Sequence, residues 1–196
     1  MEKIAQCIVD FISRNITIDD EEMLDVYKYG IEITLSSVLN FCLIIICSLV
    51  LRDIKAGIIF MILFILLRSY TGGYHAETYL RCNIVFVCIF FAAYFIAWVF
   101  EYMDSDMTVF VITVISYIPI AVFSPVKNRH KLLSEAKRKR SRIISAVIYF
   151  IAFLLVIFLC CNNVRYGYLL SSTSILVSVL VVVEVYMQKK GYHSSC

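Results

Sequence analysis

The chain has 196 residues, 18 Lys and Arg against 15 Asp and Glu, and a net charge of +3. It is 61% hydrophobic, well above the roughly 45–50% of ordinary soluble domains, and its mean hydropathy is +0.85. These values exclude a soluble enzyme domain, and three histidines scattered among eight cysteines with no CxxC pair give no basis for a zinc site or a disulfide framework.

The first residues, "MEKIAQCIVDFISRN", lack the uninterrupted apolar stretch and small-residue cleavage site of a signal peptide. Ile4, Ile8, Phe11 and Ile12 repeat at helical spacing, with Glu2, Lys3, Gln6, Asp10 and Arg14 on the other side. That pattern predicts an amphipathic helix in the interface plane, or one packed on the end of a bundle, within an N-terminal segment over 1–28. Six apolar runs follow, at about 29–51, 54–67, 83–100, 107–124, 143–161 and 166–187. Most are long enough to cross a hydrocarbon core of about 30 Å. The second is short, and is expected to tilt, to re-enter, or to continue through Ser69 and Tyr70. Within the fourth, Pro119 is placed to kink the helix and Pro125 to end it.

The expected fold is all-α, a polytopic membrane bundle of about six transmembrane helices plus the amphipathic segment, in one domain over 1–196. With the N-terminus inside, fifteen Lys and Arg fall on the cytoplasmic side, eight of them in the basic loop "KNRHKLLSEAKRKRSR" within 125–142, and only Arg52, Lys55 and Arg165 fall outside. This bias puts both termini and the basic loop in the cytoplasm. Glu32 and Glu184 lie near span ends, and both are expected to snorkel to the cytoplasmic interface. Two peripheral acids and no inverted repeat of broken helices give little support to a transporter.

One polar stretch exceeds what a tether needs: "RSYTGGYHAETYLRC", residues 68–82, between the second and third spans. It carries a histidine and a cysteine seven positions apart, and an imidazole beside a thiol can hold it as the nucleophilic thiolate. In an unbroken helix the two would share a face but stand about 10 Å apart. The chain must therefore bend, or the pair must close on substrate, for them to come within the roughly 3 Å of a hydrogen bond. Gly72 and Gly73 make a turn easy just before His75. Arg68, Arg81 and a helix N-terminus at Cys82 would all favour the thiolate. The simpler reading is that the glycines merely turn the chain between two spans.

The pattern R-x4-G-x-H-x6-C between apolar spans, in a basic membrane chain of this length, resembles the AgrB family, the accessory gene regulator B proteins of Gram-positive bacteria. That resemblance implies a membrane-embedded cysteine endopeptidase acting on the precursor of a cyclic autoinducing peptide in quorum sensing. It places the catalytic histidine on His75, the nucleophile on Cys82, the family arginine on Arg68 and the family glycine on Gly73; Pro125 before a basic loop also matches. Gly72 and Arg81 join these as positioning or pKa-tuning candidates. The partners it implies are a precursor of AgrD type with an acidic tail, anionic lipid and a second copy of the chain as a homodimer; no metal, cofactor or nucleic acid is expected. A third group to orient His75 is not evident: Glu77, Asn83 and Ser69 are near in sequence and none is singled out. The alternatives are a peptide transporter or exporter that binds without cutting, and a non-catalytic membrane scaffold.

Overall fold

A computed structural model describes residues 6–9, 21–71, 79–103, 106–126, 135–162 and 164–190. Six helices follow in order: α1 (Glu21–Val50), α2 (Ile54–Thr71), α3 (Tyr79–Met103), α4 (Asp106–Phe123), α5 (Glu135–Cys161) and α6 (Tyr166–Lys189). Each contains a window long and apolar enough to cross a membrane. Of the amphipathic stretch "MEKIAQCIVDFISRN", only 6–9 lies among the described residues, and those four are helical.

The spans sit where hydropathy puts them, and the helices overrun them. α1 begins at Glu21, within the N-terminal segment, although its apolar part starts only at Gly30. α2 runs on through Ser69 and Tyr70 to Thr71, giving the 18 residues of a full span. α5 begins inside the basic run, at Glu135. Pro119 lies within α4, and Ser124-Pro125 follows its end.

Neighbouring helices are joined by short links at alternating ends. At one end, α1 closes with Asp53 N donating to Ser48 O (2.9 Å) and Arg52 N to Leu49 O (3.0 Å). This is the paired C-terminal closure of a helix, with Arg52 at φ 57° in the left-handed position. Asp53 then caps α2, its Oδ1 accepting from Ala56 N at 3.1 Å. Arg165, before α6, draws the same end together. It donates to the Tyr94 hydroxyl at 3.1 Å and lies 3.8 Å from both Asp53 and Glu101. Partial burial works against its charge, but the Tyr94 hydroxyl, Glu101 and Asp53 outweigh it and raise its pKa. At the other end, Val126 N donates to Thr71 O (3.1 Å), tying the chain after α4 to the end of α2. Arg142 on α5 caps α4 there, with Nε on Ser124 O (3.1 Å) and Nη2 on Val122 O (2.9 Å). This second end carries Lys28, Arg68, Arg81, Lys137–Arg140, Lys189 and Lys190, and is the basic end.

α6 is the hub, packing against α2, α3, α4 and α5. Its sequence explains why: Ser171, Ser172, Thr173, Ser174 and Ser178 are all buried, and small side chains let helix backbones approach where lipid supplies no hydrophobic drive. The hydroxyls of Ser171 to Ser174 are satisfied by backbone carbonyls and by neighbours. Ser172 donates to Ala93 O on α3 (2.8 Å), and the Ser171 and Thr113 hydroxyls lie 2.6 Å apart across α6 and α4. Tyr149 on α5 donates to Thr113 O at 2.7 Å and also contacts the Ser116 hydroxyl. On the other side of α2, Phe60 and Phe64 interlock with Phe86 and Phe90 of α3, with centroids 5.0–5.6 Å apart. α1 is peripheral and turns one narrow stripe toward α2 and α3: Glu32, Ser36, Ile44 and Ser48 are buried, spaced by multiples of four, with Asn40 half-buried between them.

Glu32 and Glu184 differ from the snorkelling expected of them. Both are buried, at 9% and 5% exposure. Glu184 is held by Gln188 Nε2 at 2.8 Å. Its other oxygen, Oε2, is buried with no hydrogen-bond partner among the described residues.

Candidate active site

α3 enters the bundle at the basic end, and Cys82 lies in its first described turn, half-buried. Its surroundings follow from register. Phe86, one turn further in on α3, meets Phe64 of α2 edge-on at 5.0 Å. One turn toward the basic end along those two antiparallel helices brings Cys82 and Arg68 to the same level of the α2–α3 seam. Arg68 is half-buried, with its guanidinium carbon 5.6 Å from the Phe64 ring centre. A cation resting on an aromatic face keeps its charge while shedding water. Arg81, beside Cys82, is exposed. By this register Arg68 and Cys82, both singled out in sequence, stand at one level of the seam, and Arg81 is on the rim. Gly72, Gly73 and His75 lie outside the described residues.

The next residue turns to a different helix. Asn83 is 3% exposed, and its Oδ1 accepts from Ser36 Oγ of α1 at 2.9 Å. Its Nδ2 has no hydrogen-bond partner among the described residues, an unusual state for a buried amide. Glu32 lies one turn from Ser36 on the same buried stripe. Ser36 of α1 therefore meets the residue next to Cys82. Sequence reading missed this contribution. Its only signal was the four-residue recurrence of Glu32, Ser36, Asn40 and Ser48 in an apolar helix, a polar stripe with no reason to face lipid.

A cavity of about 140 Å³ opens at the basic end between α4 and α5, lined by Tyr117, Ile120, Ala121, Arg142, Ser145 and Ala146. Its lining holds no acid or thiol. Among the described residues no group of His, Cys, Asp and Glu is arranged to hold a metal ion.

Fold and site together define a multi-pass helical membrane protein with a thiol, a cation and buried polar side chains gathered at its basic end. The accessory gene regulator B family model matches residues 5–186, and the chain belongs to that family. An AgrB-like protein of Lactiplantibacillus plantarum is 26% identical over 191 residues, covering 96% of this chain and 90% of that one. AgrB-like protein 2 of Clostridium perfringens is 27% identical over 145 residues, 71% of this chain and 67% of its own. No solved structure matches the chain. Family membership places the protein in the processing of AgrD-type peptide precursors for quorum sensing.

Proposed function

We propose that the protein is a cysteine endopeptidase in which Cys82 is the nucleophile and His75 its base, with the site on the cytoplasmic side of the cell membrane. The observation that supports this most is the placement of Cys82. Other described cysteines such as Cys42, Cys88 and Cys160 lie within the apolar spans, whereas Cys82 stands at the basic end level with Arg68. His75 takes the thiol proton, and the sulfur attacks the scissile carbonyl of the precursor. The tetrahedral intermediate collapses as the imidazolium gives that proton to the departing amine. The C-terminal part of the precursor leaves, and its N-terminal part stays on Cys82 as a thioester. A Cys or Ser side chain of the bound peptide then attacks the thioester, closes a lactone or thiolactone ring and frees the Cys82 thiolate. Arg68 stabilises that thiolate, and the basic run from Lys137 to Arg140, exposed throughout, draws an acidic precursor tail and anionic lipid.

Two variants test the reading in membranes supplied with the precursor. Cys82→Ala abolishes cleavage with the protein still folded and inserted, and His75→Ala nearly does so. With a precursor whose ring-forming residue is replaced by Ala, mass spectrometry finds the N-terminal fragment on the Cys82 peptide, removable by hydroxylamine. Cleavage near the normal rate by Cys82→Ala overturns the mechanism and leaves a binding or export role.

A further inference from the structure

The seam between α4 and α5 is open at the basic end, and its lining has the chemistry of a lipid site. We propose that this groove holds one anionic phospholipid, with the phosphate on the Arg142 guanidinium and the upper part of an acyl chain along Ala121 and Ala146. This is a single held lipid, distinct from the diffuse attraction of the basic run, and it is independent of the peptidase reading.

Side-chain size makes the groove. Deeper in the bundle the seam is closed, because Tyr149 of α5 donates to Thr113 O and contacts the Ser116 hydroxyl. Tyr117 packs on Tyr149 with ring centres 5.1 Å apart. About one turn nearer the basic end, α4 presents Ala121 and α5 presents Ala146. Two methyl groups cannot fill a width that two tyrosines span just below. The cavity of about 140 Å³ is what remains, roughly ten times the room a water needs. Ile120 and Ser145, both buried, also line it.

The neighbours of the groove say what reaches it. Tyr117, Ala121 and Ala146 are half-buried, while Ile118 and Val122 of α4 and Ile143 and Val147 of α5 are exposed. These apolar side chains belong to membrane spans, so the groove is flanked by hydrocarbon and not by water. A dissolved anion would have to leave water to enter it. A phospholipid brings its phosphate from the headgroup level with an acyl chain already alongside.

Charge selects the same ligand. Among the described residues lining the groove, Arg142 alone is charged. Its Nε and Nη2 donate to Ser124 O and Val122 O at the end of α4, which fixes the guanidinium in place. Two of the five N–H donors are used in this way, and the others can meet phosphate oxygens. No carboxylate competes for them nearby. Asp106, the acid of α4, is at the opposite end of that helix, and Glu135 of α5 is seven residues further out, about 10 Å by helical rise. Basic pockets between spans on the cytoplasmic side are suited to anionic headgroups.

The experiment is native mass spectrometry of the full-length chain in detergent, titrated with phosphatidylglycerol or with phosphatidylcholine of the same acyl chains. The wild type retains one phosphatidylglycerol in preference to phosphatidylcholine. Ala146→Leu fills the groove without touching a charge and abolishes the preference. Arg142→Gln lowers it about fivefold, the factor that one cation near the surface contributes, and Arg142→Lys restores part of it. Replacing Lys137, Arg138, Lys139 and Arg140 together by Gln sheds loosely attached lipid and keeps the single one. Equal retention of the two lipids by the wild type overturns the proposal, as does an unchanged preference in Ala146→Leu. Displacement of the lipid by inorganic phosphate makes the groove a free-anion site and overturns it too. So does an Ala146→Leu protein that keeps the lipid but shows a raised KM for the precursor, which makes the groove a peptide site. Where the variants fail to accumulate, the wild type decides: phosphatidylglycerol with a photoreactive acyl chain labels peptides containing 117–122 and 142–147, and labelling confined to other helices overturns the assignment.

Discussion

What a side chain does at the basic end depends on which seam it enters. Arg68 rests on the Phe64 ring of the α2–α3 seam, where its charge is partly desolvated and acts on a thiol at the same level more strongly than a surface arginine would. Arg68→Gln is therefore expected to slow alkylation of Cys82 by iodoacetamide at neutral pH by about threefold to tenfold. Arg81→Gln, on the exposed rim, changes it far less. Equal rates in wild type and Arg68→Gln would remove the electrostatic role. Alanine at Cys42, Cys88 or Cys160 keeps activity, because these thiols act as small apolar groups within the spans. Arg68 and Cys82 were legible in sequence because one short polar segment between two greasy runs holds both. Glu32 was not. Hydropathy treats an acid three residues inside a span as a boundary residue, and only its burial shows that it faces the bundle.

Between helices, packing is governed by small residues. Gly57 of α2 lies so close to α1 that an added Cβ would stand 1.9 Å from Ser48 Oγ and 2.9 Å from Ser48 Cβ. Gly57→Ala must push α1 outward, since the Ser48 hydroxyl can rotate but its Cβ cannot. As α1 carries Ser36, which bonds Asn83 beside Cys82, this change, roughly 17–20 Å from Cys82 by helical rise, is expected to lower activity as well as stability. Ser48→Gly in the same chain removes both obstructing atoms and restores both; activity unchanged by Gly57→Ala alone would show that α1 does not hold the site. At the hub, a double-mutant cycle of Thr113→Val and Ser171→Ala is expected to give a coupling of about 0.6 kcal/mol, and not above about 2 kcal/mol, the range of interhelical hydrogen bonds in membranes. The spans themselves were legible because a run of about 20 apolar residues matches the thickness of a bilayer core and is rare in a soluble chain. Helix ends were not: the charged turns that begin α1 and α5 extend beyond the hydrocarbon zone, where hydropathy carries no signal and only backbone hydrogen bonding marks the helix. The central place of α6 was also hidden, because the hydroxyls of "SSTS" lower its hydropathy while their small size is what buries it.

Across the whole molecule, charge divides the two ends. Around Arg165, Asp53 and Glu101 balance the cation, whereas the basic end gathers the run Lys137–Arg140 with Arg68, Arg81 and Arg142 at the level of the cysteine turn. The alternation of links fixes which segments share an end, and the positive-inside rule then predicts a cytoplasmic basic end. An impermeant thiol reagent on intact cells is expected to label a cysteine placed at 105 and not one at 135; the reverse would invert the orientation. The basic run offers a further test, since lipid anchoring and substrate steering make different demands on it. Anchoring needs only charge near the headgroups, at about 1 kcal/mol per Lys or Arg, and is indifferent to the precursor. Steering acts on the encounter with an acidic tail, so it appears in KM and fades as salt shortens the screening length to about 8 Å near physiological strength. Replacing Lys137, Arg138, Lys139 and Arg140 together by Gln is expected to raise KM and flatten its salt dependence, with kcat nearly unchanged because the side chains at the cysteine turn are untouched. Fluorescence-detected insertion and the 105/135 labelling pattern separate this from a change of topology. If KM and its salt response stay as in the wild type while topology holds, the run serves the membrane alone, and the acidic tail must find its site by contacts within the bundle's basic end.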